Sequence, residues 1–135
     1  MVFTETNYEN AILELFCQHL GYTTAYGPDI IRDYKNPLFE DDLIPSITRL
    51  NKDLPKQAVE EALNKLRNID SGTLIQKNQT FTDYLQNGIP VKYYNGTEER
   101  NAIVRLIDYN TPANNSYCAV NQWTVIDMKK EDQIL

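Results

Sequence analysis

Few side chains in this chain could carry chemistry. There is one histidine, His19, and two distant cysteines, Cys17 and Cys118. Zinc sites draw three or four Cys, His or carboxylate ligands at short characteristic spacings, and these three residues do not form such a pattern. His19 falls on the apolar side of the first helical segment, where an imidazole packs more often than it catalyses. No glycine-rich stretch leads into Lys and Ser or Thr, so the backbone cradle that P-loop proteins offer to phosphates is excluded. Glu40-Asp41-Asp42 has the composition of a metal cluster. Its simpler role is negative charge in the first turn of a helix, which the macrodipole favours. Glu9 is the one carboxylate whose position suits a functional role. Its competing role is local, because Thr6-Asn7-Tyr8-Glu9 reads as a capping box in which Thr6 accepts from the Glu9 N–H and Glu9 reaches back.

The elements around these residues follow from periodicity. Tyr8, Ala11, Ile12, Leu15, Phe16 and His19 recur at helical spacing, and Gly21 marks the stop. A short β-prone run, Tyr22 to Tyr26, ends at Gly27-Pro28. A second helix is expected from Asp41 or Asp42, with Pro45 tolerated in its first turn and Leu43, Ile47 and Leu50 on its apolar side. A third starts at Pro55 and places Ala58, Val59, Ala62, Leu63 and Leu66 on one face. A fourth runs from about Leu74 to Gly88. Val91 to Tyr94, the Asn95-Gly96 turn and the run into Tyr109 then predict an antiparallel hairpin. A second hairpin is expected between Ala102–Tyr109 and Tyr117–Val125, joined by the Asn- and Pro-rich turn 111–116. The fold class is therefore α+β, with several helices packed on a mainly antiparallel sheet, and residues 1–135 read as a single domain.

Composition sets the outer limits. A chain of 135 residues with 41% hydrophobic and 24% charged residues is apolar enough for one packed core rather than disorder. No window holds the roughly 18 apolar residues of a membrane span. The opening Met1-Val2-Phe3-Thr4-Glu5 lacks the basic and apolar regions of a signal peptide. With two isolated cysteines read as buried thiols, a cytoplasmic location is expected. Net charge is −6, and the thirteen Lys and Arg are scattered rather than gathered in a stripe. That distribution disfavours a free-standing nucleic-acid grip.

Several blocks in order resemble type I restriction enzyme R (restriction) subunits. The opening carries Phe3-Thr4-Glu5 with Glu9, Leu20-Gly21-Tyr22 and Gly27-Pro28-Asp29. The middle carries Leu38-Phe39-Glu40-Asp41-Asp42-Leu43, Arg49-Leu50-Asn51, Leu54-Pro55 and Gly88-Ile89-Pro90-Val91. The most specific block is Val104-Arg105-Leu106-Ile107-Asp108-Tyr109, then Pro112, Asn114-Asn115 and Val120-Asn121-Gln122-Trp123-Thr124-Val125.

The resemblance implies an incomplete restriction-endonuclease-like (PD-(D/E)xK) domain, followed in full-length subunits by an ATP-driven, helicase-like DNA translocase. It implies Mg²⁺ and ATP as cofactors of the parent enzyme, with DNA and the modification and specificity subunits as its partners. In such a nuclease an Asp and a Glu hold Mg²⁺ and a Lys stabilises developing charge. Glu9, or less readily Glu5, matches the family's first-helix Glu and is the catalytic candidate. Asp132 lies near where the motif Asp would fall, and no Glu-x-Lys follows it. The fragment itself is therefore expected to be catalytically inert and to bind no cofactor tightly. A stand-alone, non-catalytic interaction or regulatory module is the alternative. If the family resemblance holds, the Ala102–Val125 hairpin lacks the catalytic strands that would lie beside it, and the fragment is expected to self-associate through its open edge or to be of low stability. With net charge −6, binding to random duplex DNA at physiological salt should be weaker than the ~10⁻⁴ to 10⁻⁶ M of non-specific binders. A salt-dependent micromolar constant in a fluorescence-anisotropy titration would contradict that expectation.

Overall fold

The computed structural model describes residues 4–126. In chain order they form α1 (Glu5–Glu14), a π-helical turn (Leu15–His19), β1 (Thr23–Tyr26), α2 (Glu40–Leu50), α3 (Lys56–Arg67), α4 (Leu74–Asn87), β2 (Ile89–Tyr94), β3 (Glu99–Val104) and β4 (Cys118–Asn121). The architecture is α+β, as expected. The mainly antiparallel sheet is realised only in part, since β2–β3 is antiparallel whereas β1–β4 is parallel. The chain sorts into two compact units, Leu38–Ser116 and a second comprising Met1–Pro37 with Tyr117–Leu135.

The Leu38–Ser116 unit holds the buried core. The apolar stripe of α3, Ala58, Val59, Ala62, Leu63 and Leu66, is buried throughout, joined by Ile47, Ile89, Val91 and Val104. β2 alternates as a half-buried strand should, with Ile89 and Val91 inward and Pro90 and Lys92 outward. Burying Ile47, Ile89 and Val104 fully contributes roughly 1.5–3 kcal/mol each. α4 carries its capping box at Thr73 and Gln76 and stops at Gly88, whose φ of +82° suits glycine. α2 starts at Glu40, earlier than its sequence suggested, so Pro45 lies inside the helix rather than in a cost-free first-turn position.

The second expected hairpin does not form. β3 ends at Val104, and residues 105–117 are not strand. The buried Asn51 ends the ladder: its Oδ1 accepts the Arg105 N–H at 2.8 Å and its Nδ2 donates to the Arg105 carbonyl at 2.8 Å. One side chain thereby satisfies both backbone groups of the residue where the strand would have continued. Asp108 then winds the following loop, accepting from the Asn110 and Thr111 N–H groups at 3.0 Å each and from Asn114 Nδ2 at 3.0 Å. Asn115 clamps the Asp108 backbone from the other side through its own carboxamide. The apolar run Ala102–Tyr109 is thus half strand and half loop, and no hairpin links it to Tyr117–Val125.

These donors hold the Asp108 carboxyl below its ordinary value of 3.8. The Thr111 N–H contributes most, then the Asn114 carboxamide, with Asn110 and Arg105 adding to them against the opposing effect of burial. A carboxyl lowered in the folded state stabilises it above the unfolded value, and that contribution is lost as the pH falls through the folded one. Unfolding monitored across acid pH should therefore show stability declining as the pH drops below 3.8. Asp108→Asn should be less stable at neutral pH and flatter across that range.

Candidate functional site

The site is built at the C-terminal end of the parallel β1–β4 pair. Tyr26 aligns with Asn121 at the last register position. The chain enters α1 two residues earlier than the capping box predicted: Thr4 is the N-cap, and its hydroxyl accepts from the Asn7 N–H at 3.2 Å. Glu9 is therefore not a capping residue. Its carboxylate is free for tertiary contact, and it accepts from Asn121 Nδ2 at 2.6 Å and from Gln122 Nε2 at 2.9 and 3.2 Å. Only the NH₂ edge of each carboxamide can face a carboxylate, which fixes both amide orientations.

Two backbone features hold this corner. Gln122 has φ +54°, uncommon for a residue with a side chain. Gly27 lies against it so closely that a Cβ there would meet the Gln122 carbonyl oxygen at 2.2 Å and its carbon at 2.8 Å. Beyond the corner, Trp123 stacks on the Arg32 guanidinium at 3.6 Å and donates its indole N–H to the Pro37 carbonyl at 2.9 Å. Arg32 also lies over Tyr34 and donates to the carbonyls of Asn36 and Thr124. The Ile126 N–H reaches the Tyr34 carbonyl at 2.8 Å. A groove of about 370 Å³ runs beside the corner between α1 and β4, with Ile12, Leu13 and Phe16 among its apolar lining and Glu9 and Asn121 as polar members.

With this geometry in place, the comparisons decide the family. The profile describing the type I restriction enzyme R protein N terminus matches residues 2–134. The chain belongs to that family. Over 132 residues it is 32% identical to the type I restriction enzyme HindI endonuclease subunit of Haemophilus influenzae, covering 90% of this chain and 12% of that protein. Over 123 residues it is 23% identical to a Methanocaldococcus jannaschii protein named as the type I restriction enzyme MjaIXP endonuclease subunit, covering 87% of this chain and 12% of the relative. The chain thus spans about an eighth of the length of these relatives. No solved structure matches it.

The chain places its sequence candidates unequally. Glu9 meets Asn121 and Gln122 of the family block. Glu5 lies exposed in the first turn of α1, and His19 is exposed at the end of the π-helical turn, not on a packed face. Cys17 is exposed and Cys118 half-buried, both free, which corrects the reading of two buried thiols. The acidic run opens α2 as anticipated, where Glu40 pairs with Arg67 and Asp42 accepts from the Ser116 hydroxyl at 2.8 Å. Asp132 lies outside the described residues. Sequence reasoning missed Gly27 and Arg32; the Gly-Pro-Asp of the family block was the available signal for the first, and nothing local marked the second.

Magnesium takes an octahedron of oxygen ligands, with one or two carboxylates among several waters and substrate oxygens. Among the described residues no three His, Cys, Asp or Glu side chains come together, and the groups facing Glu9 are N–H donors. The described residues alone do not fit a metal site, so no step through a metal follows from them. Gly27→Ala should destabilise this unit by about 2 kcal/mol or more, because its Cβ would strike backbone that has no rotamer to yield. Thermal melts of that variant beside the unaltered chain check this.

Proposed function

We propose that this chain is the N-terminal part of the nuclease domain of a type I restriction enzyme R subunit, a Mg²⁺- and ATP-dependent DNA endonuclease and translocase. The observation that carries the reading is the family match over residues 2–134, with curated relatives named as endonuclease subunits. The geometry supports it from a second side. Glu9 and the Asn121-Gln122-Trp123 block lie far apart in sequence, yet they meet at one corner. Both belong to the set of residues in which the chain resembles R subunits.

In this reading Glu9 is the first-helix carboxylate of the nuclease, shaping the pocket into which the remaining catalytic groups are brought. An Asp, a Glu and a Lys are needed to bind Mg²⁺ and stabilise the developing charge on the scissile phosphate. The Glu-x-Lys has no counterpart downstream of Asp132 in these 135 residues. The chain alone is therefore inert, and cutting belongs to the longer subunit working with modification and specificity subunits on DNA. A restriction-endonuclease-like fold completed by that longer chain is part of the proposal. So is a cytoplasmic location, with which the lack of any membrane-length apolar helix among the described residues is compatible.

Two preparations test it. The 135-residue chain should leave supercoiled plasmid intact with Mg²⁺ or Mn²⁺, and metal-dependent cutting lost on Glu9→Ala would show the active site to be misplaced. A subunit extended to the length of the relatives, assembled with its partner subunits, should cleave DNA only with ATP. There Glu9→Ala should depress cleavage at least tenfold, about 1.4 kcal/mol of transition-state stabilisation, while ATP hydrolysis persists. Equal loss of both activities would argue against a nuclease role for this segment.

A further inference from the structure

The conformation of Gln122 has no local cause. It is neither Gly nor Asn, yet its backbone lies in the left-handed region at φ +54°. A residue held there against its own preference implies surroundings that over-determine it. Two neighbours do so. Gly27, by lacking a Cβ, admits the Gln122 carbonyl to the end of β1. Glu9, projecting from α1, receives the Gln122 carboxamide on both carboxylate oxygens and the Asn121 carboxamide on one of them.

The consequence is directional. β4 ends at Asn121, and the left-handed residue immediately after it turns the chain out of the strand. The next residues are then caught in sequence: Trp123 on Arg32 and the Pro37 carbonyl, Thr124 on Arg32, and Ile126 on the Tyr34 carbonyl. We infer that Glu9 is a positioning residue whose carboxylate holds the Asn121 and Gln122 carboxamides and so fixes the left-handed turn that aims Trp123–Ile126 off the end of β4. The carboxylate suits this because it accepts all three N–H contacts at once, and bonds to an ionised acceptor are stronger than neutral ones. This deepens the proposed function and rests on it for one consequence only, that the chain so aimed leads toward the remaining nuclease groups. The latch itself is a property of this chain.

Trp123 is the single tryptophan and adjoins the turn, so its fluorescence reports the latch directly. Glu9→Gln preserves shape and removes the charge. It should red-shift Trp123 emission and raise acrylamide quenching severalfold, with helical circular dichroism retained. Gln122→Ala should do the same. The exchanged double variant, Glu9→Gln with Gln122→Glu, restores a carboxylate–carboxamide pair and should return both signals toward those of the unaltered chain. Unchanged emission in Glu9→Gln, or an exchanged variant no better than the singles, overturns the inference. Should the single variants unfold, the unaltered chain supplies the measurement. Scalar coupling from the Asn121 and Gln122 side-chain nitrogens to the Glu9 carboxylate carbon supports the latch, and its absence overturns it. Neither readout involves DNA, metal or ATP, so a failed latch leaves the nuclease reading to its own test, and a failed nuclease reading leaves the latch standing.

Discussion

One buried carboxamide decides how the longest apolar run of the chain is used. Asn51, at the end of α2, takes both backbone hydrogen bonds of Arg105, where a strand neighbour would have taken them. A buried amide left without partners costs about 1–3 kcal/mol, so the strand can stop at Val104 only because that compensation is present. Everything after this point depends on it. Leu106 packs against the core from a loop, Asp108 collects the next turn, and the chain is released to supply β4 to a different sheet.

The same logic explains why the family block has the composition it does. Arg105 and Asp108 approach at 4.0 Å, and Asp108, Asn114 and Asn115 satisfy one another and the backbone between them. Arg49 donates to the Asn114 carbonyl, which ties the loop to α2. Read as text, the block suggests a turn between strands. Read as structure, its polar residues are the partners of a loop that would otherwise leave peptide groups unpaired. Toward its end, Asn121, Gln122 and Trp123 are bound by Glu9, Arg32 and the Pro37 carbonyl.

Membership in the R-protein N-terminus family and the geometry of the Glu9 corner support each other without being the same argument. The family match concerns which proteins share this pattern. The corner concerns why Gln122 tolerates a left-handed backbone and why Gly27 carries no side chain. A carboxylate surrounded by N–H donors is a holding group first.

Local pattern determined the helices. The stripe from Ala58 to Leu66 is buried as its spacing required, α4 ends at the glycine that marked its stop, and Asn95 turns the β2–β3 hairpin by accepting the N–H groups of Thr97 and Glu98. Each depends on residues within one or two turns of one another, which a sequence displays directly. Glu9 was also legible as a candidate, although its cap was misassigned by two residues, because Thr4 and Thr6 both offer a hydroxyl ahead of the same apolar stripe. What the tertiary structure alone decided is every contact spanning the chain: β1 against β4 in parallel, Asn51 on Arg105, Glu9 on Asn121 and Gln122, Arg32 on Trp123. An apolar run such as Ala102–Tyr109 carries no mark of which partner will satisfy its backbone. A parallel strand pair leaves none either, since no tight turn joins its members.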